Sequence, residues 1–194
     1  KRLFTENVLH GYESRRLTKD GRILDVKVDA AVFFDDDGQP AGQVVILRDV
    51  TASKRAEQTN QALFRIARAL HRFRQLEPML AYITRQVQEL VKAGGATVLL
   101  VDESRHEFYI PAASYMDGST GTRMREIRFP VDKGVAGRVY RTGEPLIVHD
   151  TATSSDFYEQ VDMDSRYRHK NMLDVPLRHQ ERIIGVLCAV NKQE

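Results

Sequence analysis

The first fifty residues alternate apolar and polar side chains with a period of two. Residues 23–30 are ILDVKVDA, and residues 44–47 are VVIL after a break. A two-residue period is typical of β-strands. Asp20-Gly21 and Asp37-Gly38 separate these runs, and Asp-Gly tolerates the positive φ of a tight hairpin turn. The pattern predicts a three-stranded antiparallel meander, although other small β-sheets share it.

From Ser53 onward, apolar residues recur every seven positions. The series comprises Ala56, Leu63 and Leu70, with Ile66 and Phe73 beside it. Such a stripe is typical of a helix that pairs with a second helix in a coiled coil. We therefore predict a homodimer through the helices of residues 53–92. Because only two or three heptads are sustained, an amphipathic helix that packs on its own domain is the alternative.

A second helix is predicted to begin near Pro78, because proline lacks an amide proton and suits a first helical turn. Its apolar face comprises Met79, Leu80, Ile83, Val87, Leu90 and Val91. Gly94-Gly95 is predicted to end this helix. The bent connector would carry twist or sliding between the segments before and after it.

The rest of the chain alternates apolar strands with helical stretches. Strands are predicted at residues 96–101, 107–115, 127–130, 146–148, 174–177 and 183–190, with a helix at 134–141 and a loop at 117–121. Residues 151–172 have almost no apolar periodicity, and long irregular segments in compact domains are often functional lids. The predicted fold class is α+β, with helices flanking one antiparallel sheet.

Composition narrows the classes of partner. The chain has 29 Lys and Arg against 27 Asp and Glu, a net charge of +2, with the basic residues scattered. This argues against nucleic acid or anionic lipid as a partner. Cys188 is the single cysteine, and no apolar run approaches the roughly 18 residues of a membrane span. We expect a soluble, cytoplasmic segment with no membrane partner. Because Lys1 opens inside a predicted domain, we expect a longer parent protein.

Several N-terminal motifs resemble the C-terminal half of a PAS domain and its exit linker, over about residues 10–57. They are Tyr12-Glu13, Lys19-Asp20-Gly21-Arg22, Asp36-Asp37-Gly38, Arg48-Asp49-Val50-Thr51 and Lys54-Arg55-Ala56-Glu57. The resemblance implies that Asp49 and Thr51 form a signal hinge before an output helix. Asp49 also suits a plain turn or helix cap. We assign residues 1–52 to this PAS part and 53–77 to a helical linker, and expect no sensing by an incomplete pocket.

The remaining chain resembles a GAF domain, of the type found in cyclic-nucleotide phosphodiesterases and related bacterial adenylyl cyclases. The motifs are Asp117-Gly118, Gly134-Val-Ala-Gly137, Thr142-Gly143, Ile147 with Asp150, Phe157-Tyr158, Val161-Asp162, Asn171, Pro176, and Gly185-Val186 through Asn191-Lys192. We assign residues 78–194 to this domain, whose first helix begins as early as residue 60. The resemblance implies a regulatory, ligand-binding sensor and no enzyme activity in this segment.

A glycine-flanked helix start is suited to a phosphate, because its first backbone amides lack intrahelical partners. Val135 and Ala136 are placed to supply such amides to the charged phosphate of a cyclic nucleotide, cAMP or cGMP. The alternative is that Gly134 and Gly137 only allow the helix to pack tightly on a sheet.

The resemblance also implies residues that close over ribose and base. Candidates are Asp117, Tyr158, Asp162, Ser165, His169, Cys188, Asn191 and Lys192. Ser165 keeps a lid hydroxyl, whereas His169 replaces one. Cys188 stands where a cyclic-GMP-binding relative can carry a base-reading glutamate, and a thiol cannot accept paired hydrogen bonds as a carboxylate does. The motif therefore leaves open cyclic AMP, another small ligand or none.

Other chemistries find little support in the sequence. His149, Asp150, His169 and Cys188 share no metal-ligand spacing, and no paired His-Asp metal cluster is present for phosphodiester hydrolysis. An apolar strand around Cys188 is typical of an inert structural cysteine. Three hypotheses remain: a sensor that binds a small ligand, a ligand-free dimerising relay, and an enzyme, the last with the least support.

Overall fold

The computed structural model describes residues 7–70 and 73–193. The chain divides into two compact units, with the boundary between Gln61 and Ala62. Each unit contains its own antiparallel sheet. The predicted α+β class is confirmed.

The first unit is the predicted meander. Its strands are β1 (Val8–Leu17), β2 (Ile23–Phe34) and β3 (Pro40–Asp49), paired in the order β1-β2-β3. Gly21 and Gly38 have φ of 81° and 76° at the two turns, as Asp-Gly predicts. Val26, Val28 and Ala30 on the central strand are buried, as the alternation requires.

Helix α1 (Thr51–Leu70) packs through small residues and leaves larger ones at the surface. Ala62 and Ala69 are buried, whereas Leu63 is 56% exposed. The side chain of Leu70, which the heptad series includes, lies outside the described residues. The buried Ala62 and Ala69 lie outside the predicted heptad series, whereas Leu63 of that series is exposed, and the homodimer stays a prediction.

Helix α2 (Leu76–Val91) begins two residues before Pro78, close to the predicted position. The prediction that Gly94-Gly95 ends it was wrong. Lys92, in the left-handed region at φ 51°, ends the helix, and both glycines lie in strand β4 (Ala93–Asp102). A Cβ on Gly95 would stand 2.3 Å from the Tyr115 ring, so this glycine permits close packing across two strands.

The second unit is one six-stranded sheet with helices. Its remaining elements are β5 (Glu107–Tyr115), α3 (Gly118–Glu126), β6 (Arg128–Pro130), α4 (Gly134–Thr142), β7 (Leu146–Val148), a 3₁₀ turn (Thr151–Thr153), α5 (Gln160–Ser165), β8 (Met172–His179) and β9 (Arg182–Lys192). The strand order is β6-β5-β4-β9-β8-β7, with antiparallel neighbours throughout.

Two loop predictions in this unit need correction. Residues 117–121 were predicted as a loop, but they start α3 because the Asp117 side chain caps the helix by accepting from the Thr120 amide, 2.6 Å. Residues 151–172 contain the 3₁₀ turn and α5, each too short to give a periodic apolar pattern.

The core of this unit lies between the sheet and helices α3 and α4. Phe108, Val139 and Val186 are fully buried there, and the Phe108 ring lies 5.3 Å from the Phe129 ring, centroid to centroid. No helix in the described part of the chain is long and apolar enough to cross a membrane.

Candidate functional site

A cavity of about 50 Å³ lies within the core of the second unit. Strands β4, β5, β8 and β9 contribute its floor, the first turn of α4 forms one wall, and residues of the segment 157–169 cover it. The lining residues are Thr97, Leu99, Ile110, Tyr115, Met124, Phe129, Gly134, Val135, Ala136, Phe157, Tyr158, Val161, His169, Met172, Asp174, Cys188 and Val190.

The amino terminus of α4 points its first residues at this cavity. Val135 and Ala136 line it and are buried, and Lys133 before them supplies no side-chain cap among the described residues. Amides in a first helical turn have no intrahelical acceptor, so they are available to an anion. Gly134 has a φ of 74°, which starts this turn and which other residues rarely adopt.

The second glycine of the motif has a packing role. A Cβ on Gly137 would lie 2.7 Å from the Asp132 carbonyl carbon, so only glycine lets α4 approach the preceding loop. Gly137 therefore serves the packing of α4, whereas Gly134 serves the helix start that is suited to an anion.

Asp174 on β8 is the most unusual polar group of the cavity. It is fully buried, and neither carboxyl oxygen has a hydrogen-bond partner within residues 7–70 and 73–193. Burial raises the pKa of Asp174 to about 7, and the interaction with the neighbouring Cys188 thiol opposes that shift. Burial, together with this carboxyl group, raises the pKa of the Cys188 thiol. The two residues are direct cross-strand partners between β8 and β9.

The other buried polar groups of the cavity form a connected chain. The Thr97 and Tyr115 hydroxyls are 3.1 Å apart, and the Tyr115 hydroxyl is 3.4 Å from His169 Nε2. His169 Nδ1 contacts an Asp162 carboxyl oxygen, and the His169 amide donates to the other, 3.1 Å. Desolvation raises the pKa of Tyr115. Asp174 takes no part in this chain.

Hydrogen bonds from helices α3 and α4 hold the segment that covers the cavity. Phe157 and Tyr158 are half-buried above the sheet. Arg138 Nη1 on α4 donates to Asp156 Oδ2, 2.5 Å, and Arg123 Nε on α3 donates to the Ser165 carbonyl, 2.6 Å. We call residues 154–169 the lid.

The structure brings five of the predicted ligand residues to the cavity: Val135, Ala136, Tyr158, His169 and Cys188. Asp162 lies behind His169 and orients its ring. Ser165 is buried but holds the lid, since its carbonyl accepts from Arg123 and its Oγ accepts from the Tyr167 amide, 3.3 Å.

Three predicted residues lie away from the cavity lining. Hydrogen bonds from the Thr120 amide and hydroxyl lower the pKa of Asp117, in keeping with its role as the α3 cap. Asn191 Oδ1 accepts from the Lys170 amide, 2.7 Å, and so anchors the end of the lid. Lys192 lines a separate groove of about 400 Å³. Contact of these residues with a ligand stays a prediction.

The predicted hinge has a defined geometry in the first unit. The Thr51 amide donates to Asp49 Oδ1, 2.9 Å. Hydrogen bonding from the Thr51 side chain and from this amide lowers the pKa of Asp49. The Thr51 hydroxyl accepts from the Asp25 amide, 2.9 Å. The start of α1 is therefore tied to the middle strand of the meander, and its role in signalling stays a prediction.

Sequence reasoning missed Asp174. Its signal was a single carboxylate within the apolar run MLDVPL of residues 172–177. Buried carboxylates are normally paired, so an acid inside a buried strand indicates a special role.

Comparison with known proteins connects this geometry to a family. The sequence model of the GAF domain matches residues 75–194. Probable 3',5'-cyclic phosphodiesterase pde-5 of Caenorhabditis elegans is 30% identical over 142 residues, covering 68% of this chain and 19% of that protein. Dual 3',5'-cyclic-AMP and -GMP phosphodiesterase 11 of Drosophila melanogaster is 28% identical over 142 residues, covering 69% of this chain and 10% of that protein. The chain thus spans a fifth or less of these relatives.

A solved structure supports the fold. The crystal structure of the GAF domain from Acinetobacter phosphoenolpyruvate-protein phosphotransferase matches with a TM-score of 0.58 and 20% identity. The match covers 71% of this chain and 78% of that one.

Proposed function

The chain belongs to the GAF domain family, and on that premise we propose that it is a regulatory sensor whose cavity binds a cyclic nucleotide. GAF domains are sensory, ligand-binding regulatory domains. The observation that carries the proposal is a single cavity that combines the uncapped start of α4 with the unpartnered Asp174. The first suits a phosphate, and the second suits the hydrogen-bond donors of a base.

The two phosphodiesterase relatives support the choice of ligand. Their names concern 3',5'-cyclic nucleotides, including both cyclic AMP and cyclic GMP. We propose no catalytic role for this chain, and place any catalytic or output domain outside it.

Binding requires the lid to open. Pockets for ligands of drug size have volumes of about 300 to 1,000 Å³, whereas this cavity has about 50 Å³. Phe157 and Tyr158 are the side chains that we expect to move outward, since they are half-buried and lie outside regular secondary structure. The ligand would take their place against the apolar floor.

The closed cavity also favours a second candidate, a ligand-free relay. Large apolar side chains, among them Met124, Phe129 and Met172, line the cavity and leave only about 50 Å³ between them. In that case the domain would serve as a dimerising scaffold that passes movement along α1 and α2.

The segments before the GAF domain are the N-terminal meander and the helix that follows it. We propose that residues 1–52 are the end of a PAS domain, that 53–77 link it to the GAF domain, and that Asp49 and Thr51 act as a hinge. Coupling of about 1 to 3 kcal/mol between ligand and linker would be enough for regulation.

A thermal-shift titration tests the proposal. The chain would be titrated with cyclic AMP, cyclic GMP and cyclic dinucleotides, with adenosine and guanosine as controls that lack the phosphate. A ligand at about 100 times its Kd adds about 2.7 kcal/mol of stability. We expect a saturable rise in Tm with a cyclic mononucleotide and little with its nucleoside, because the α4 amides need the anion.

The alternatives give different results. No shift with any nucleotide would reject the cyclic-nucleotide sensor in favour of the relay. An equal shift with nucleoside and cyclic nucleotide would reject the assignment of α4 as the phosphate site.

A further inference from the structure

The buried carboxyl group of Asp174 has no role in the fold that its contacts explain. Its two oxygens lack partners among the described residues, although the adjacent Thr97, Tyr115 and His169 are joined to one another. A buried polar group without a partner destabilises the folded state, so such groups persist where something else depends on them. The carboxyl group lies on the cavity wall, where a ligand would meet it.

The chemistry of a carboxylate limits what would satisfy it. Ionised Asp174 offers two acceptor oxygens side by side and no donor. It pairs best with two adjacent N–H groups, in the parallel geometry familiar from arginine. The Watson–Crick edge of guanine has such a pair, N1–H and N2–H, whereas adenine has the N6 donor beside the N1 acceptor.

The cavity wall around Asp174 selects among donors. Leu99, Ile110, Val190 and Phe129 line the same space. Apolar and aromatic walls accept a flat heterocycle, whereas an ammonium group would exchange its hydration for fewer hydrogen-bond partners there. A metal ion is also disfavoured, since no group of three or more possible metal ligands occurs in the part of the chain the structure describes.

We propose that Asp174 is the specificity-determining residue of this cavity, and that it favours a guanine base, making the ligand cyclic GMP in preference to cyclic AMP. This inference rests on the proposed function. It also relocates the base-reading group. Cys188 on β9 cannot accept paired hydrogen bonds, and its direct cross-strand partner on β8 supplies the carboxyl group instead.

Equilibrium binding to the full chain, measured by calorimetry, tests the proposal with three ligands. Cyclic GMP presents both the N1–H and N2–H donors, cyclic IMP presents only N1–H, and cyclic AMP has an acceptor at N1 and its only donor at N6. We expect affinity to fall in that order, with about a 10- to 100-fold loss for each hydrogen bond to the charged group.

The near-isosteric variant Asp174→Asn tests whether the carboxylate determines the choice of base. An amide offers one acceptor and one donor, which match adenine N6–H and N1 but can satisfy only one of the adjacent guanine donors N1–H and N2–H. We expect cyclic GMP affinity to fall about 30-fold or more and the preference to turn toward cyclic AMP. The matched control Cys188→Ser changes the adjacent residue, keeps the carboxylate, and should preserve the preference for cyclic GMP.

A melting curve of the unliganded variant separates ligand recognition from a structural role. A residue needed for folding would lower Tm when changed, whereas removal of an unpartnered buried charge should raise Tm or leave it unchanged. A lower Tm for Asp174→Asn at pH 8 would overturn the proposal.

The binding results distinguish failure of the role of Asp174 from failure of the proposed cyclic-nucleotide sensor. Preferred binding of cyclic AMP to the wild type, or equal cyclic GMP affinity of wild type and Asp174→Asn, would overturn the role of Asp174 and leave the sensor intact. Failure of all three ligands to bind the wild type would overturn both.

Discussion

At the scale of single residues, Asp174 couples the stability of the unliganded domain to pH. Burial raises its pKa from the ordinary value of 3.8 to about 7. The folded state therefore keeps a proton that the unfolded state releases above pH 4. Stability from this group is fully present below that pH and is lost as pH rises to 7.

We predict that Asp174→Asn gains stability relative to wild type as pH rises from 4 to 7, by up to about 4 kcal/mol. The difference should level off above pH 7, because both states are then ionised. Urea unfolding at several pH values measures it. Burial raises the pKa of Tyr115 and of Cys188 above their ordinary alkaline values, so neither group titrates between pH 4 and 7. A difference that does not vary with pH would contradict the raised pKa.

Asp117 allows a test of cap against ligand contact. We predict that Asp117→Ala lowers stability by about 1 kcal/mol, because the Thr120 amide loses its acceptor. Asp117→Asn should retain most of the stability, since asparagine also caps helices. Thermal unfolding measures both effects, and cyclic-nucleotide affinity should be unchanged in each variant. Loss of affinity in Asp117→Asn at full stability would instead support the predicted ligand contact.

These residues show where sequence reasoning stops. Val135 and Ala136 were predictable because a glycine-flanked helix start has a local signature. Asp174 was not predicted, because its isolation depends on which side chains of β9, β4 and β5 surround it. Asp117 was assigned to a loop, although capping is itself a local signal that Asp followed by Thr120 carries.

At the scale of elements, the lid differs from the sheet beneath it. The sheet is held by continuous strand pairing, whereas the lid is held mainly by hydrogen bonds that involve side chains, from α3, α4 and the sheet. The Arg138–Asp156 pair is partly exposed, so it contributes at most about 1 kcal/mol. The start of the lid is therefore fastened more weakly than its end, where Ser165 and His169 are buried.

We predict that Arg138→Ala accelerates hydrogen exchange in residues 154–165 by up to about 5-fold. Exchange in β4 and β9 should be unchanged, because their backbone bonds lie in the sheet. Mass spectrometry of deuterated peptides measures both regions. Arg141→Ala, an exposed residue of the same helix, is the matched control. Equal acceleration in the two variants would argue that α4, rather than the ion pair, controls the lid.

Hydrophobic periodicity predicts the limits of some strands well and the end of helix α2 poorly. Strands β5 and β7 were predicted at their observed limits, because their apolar residues are flanked by turn residues. The end of α2 was misplaced because glycine has two uses: Gly94 and Gly95 give close strand packing, and Lys92 takes the left-handed position that glycine usually fills.

At the scale of the whole molecule, the predicted dimer would use the open face of α1. Leu63 and Phe64 are 56% and 63% exposed on that helix. Large apolar side chains at a helix surface are typical of an interaction face. The buried Ala62 lies on the covered side of α1 and leaves this open face unoccupied.

We predict that Leu63→Glu shifts the chain from dimer to monomer, because a charge at a core heptad position is poorly tolerated. Light scattering after size-exclusion chromatography measures the mass. The control is Gln58→Glu, an exposed position of the same helix outside the heptad series. A wild-type chain that is monomeric at high concentration would reject the coiled coil.

The pairing of Ala93 with Lys192 brings the start of β4 and the end of β9 together in the second unit. The Gln193 amide donates to the Lys92 carbonyl, 2.8 Å, so the end of α2 and the end of β9 are bonded to each other. Cys188 on the cavity floor stands only about 13 Å up the same strand. We therefore expect a displacement of β9 at the cavity floor to move the end of β9 and the end of α2 together, because the two ends are hydrogen-bonded to each other.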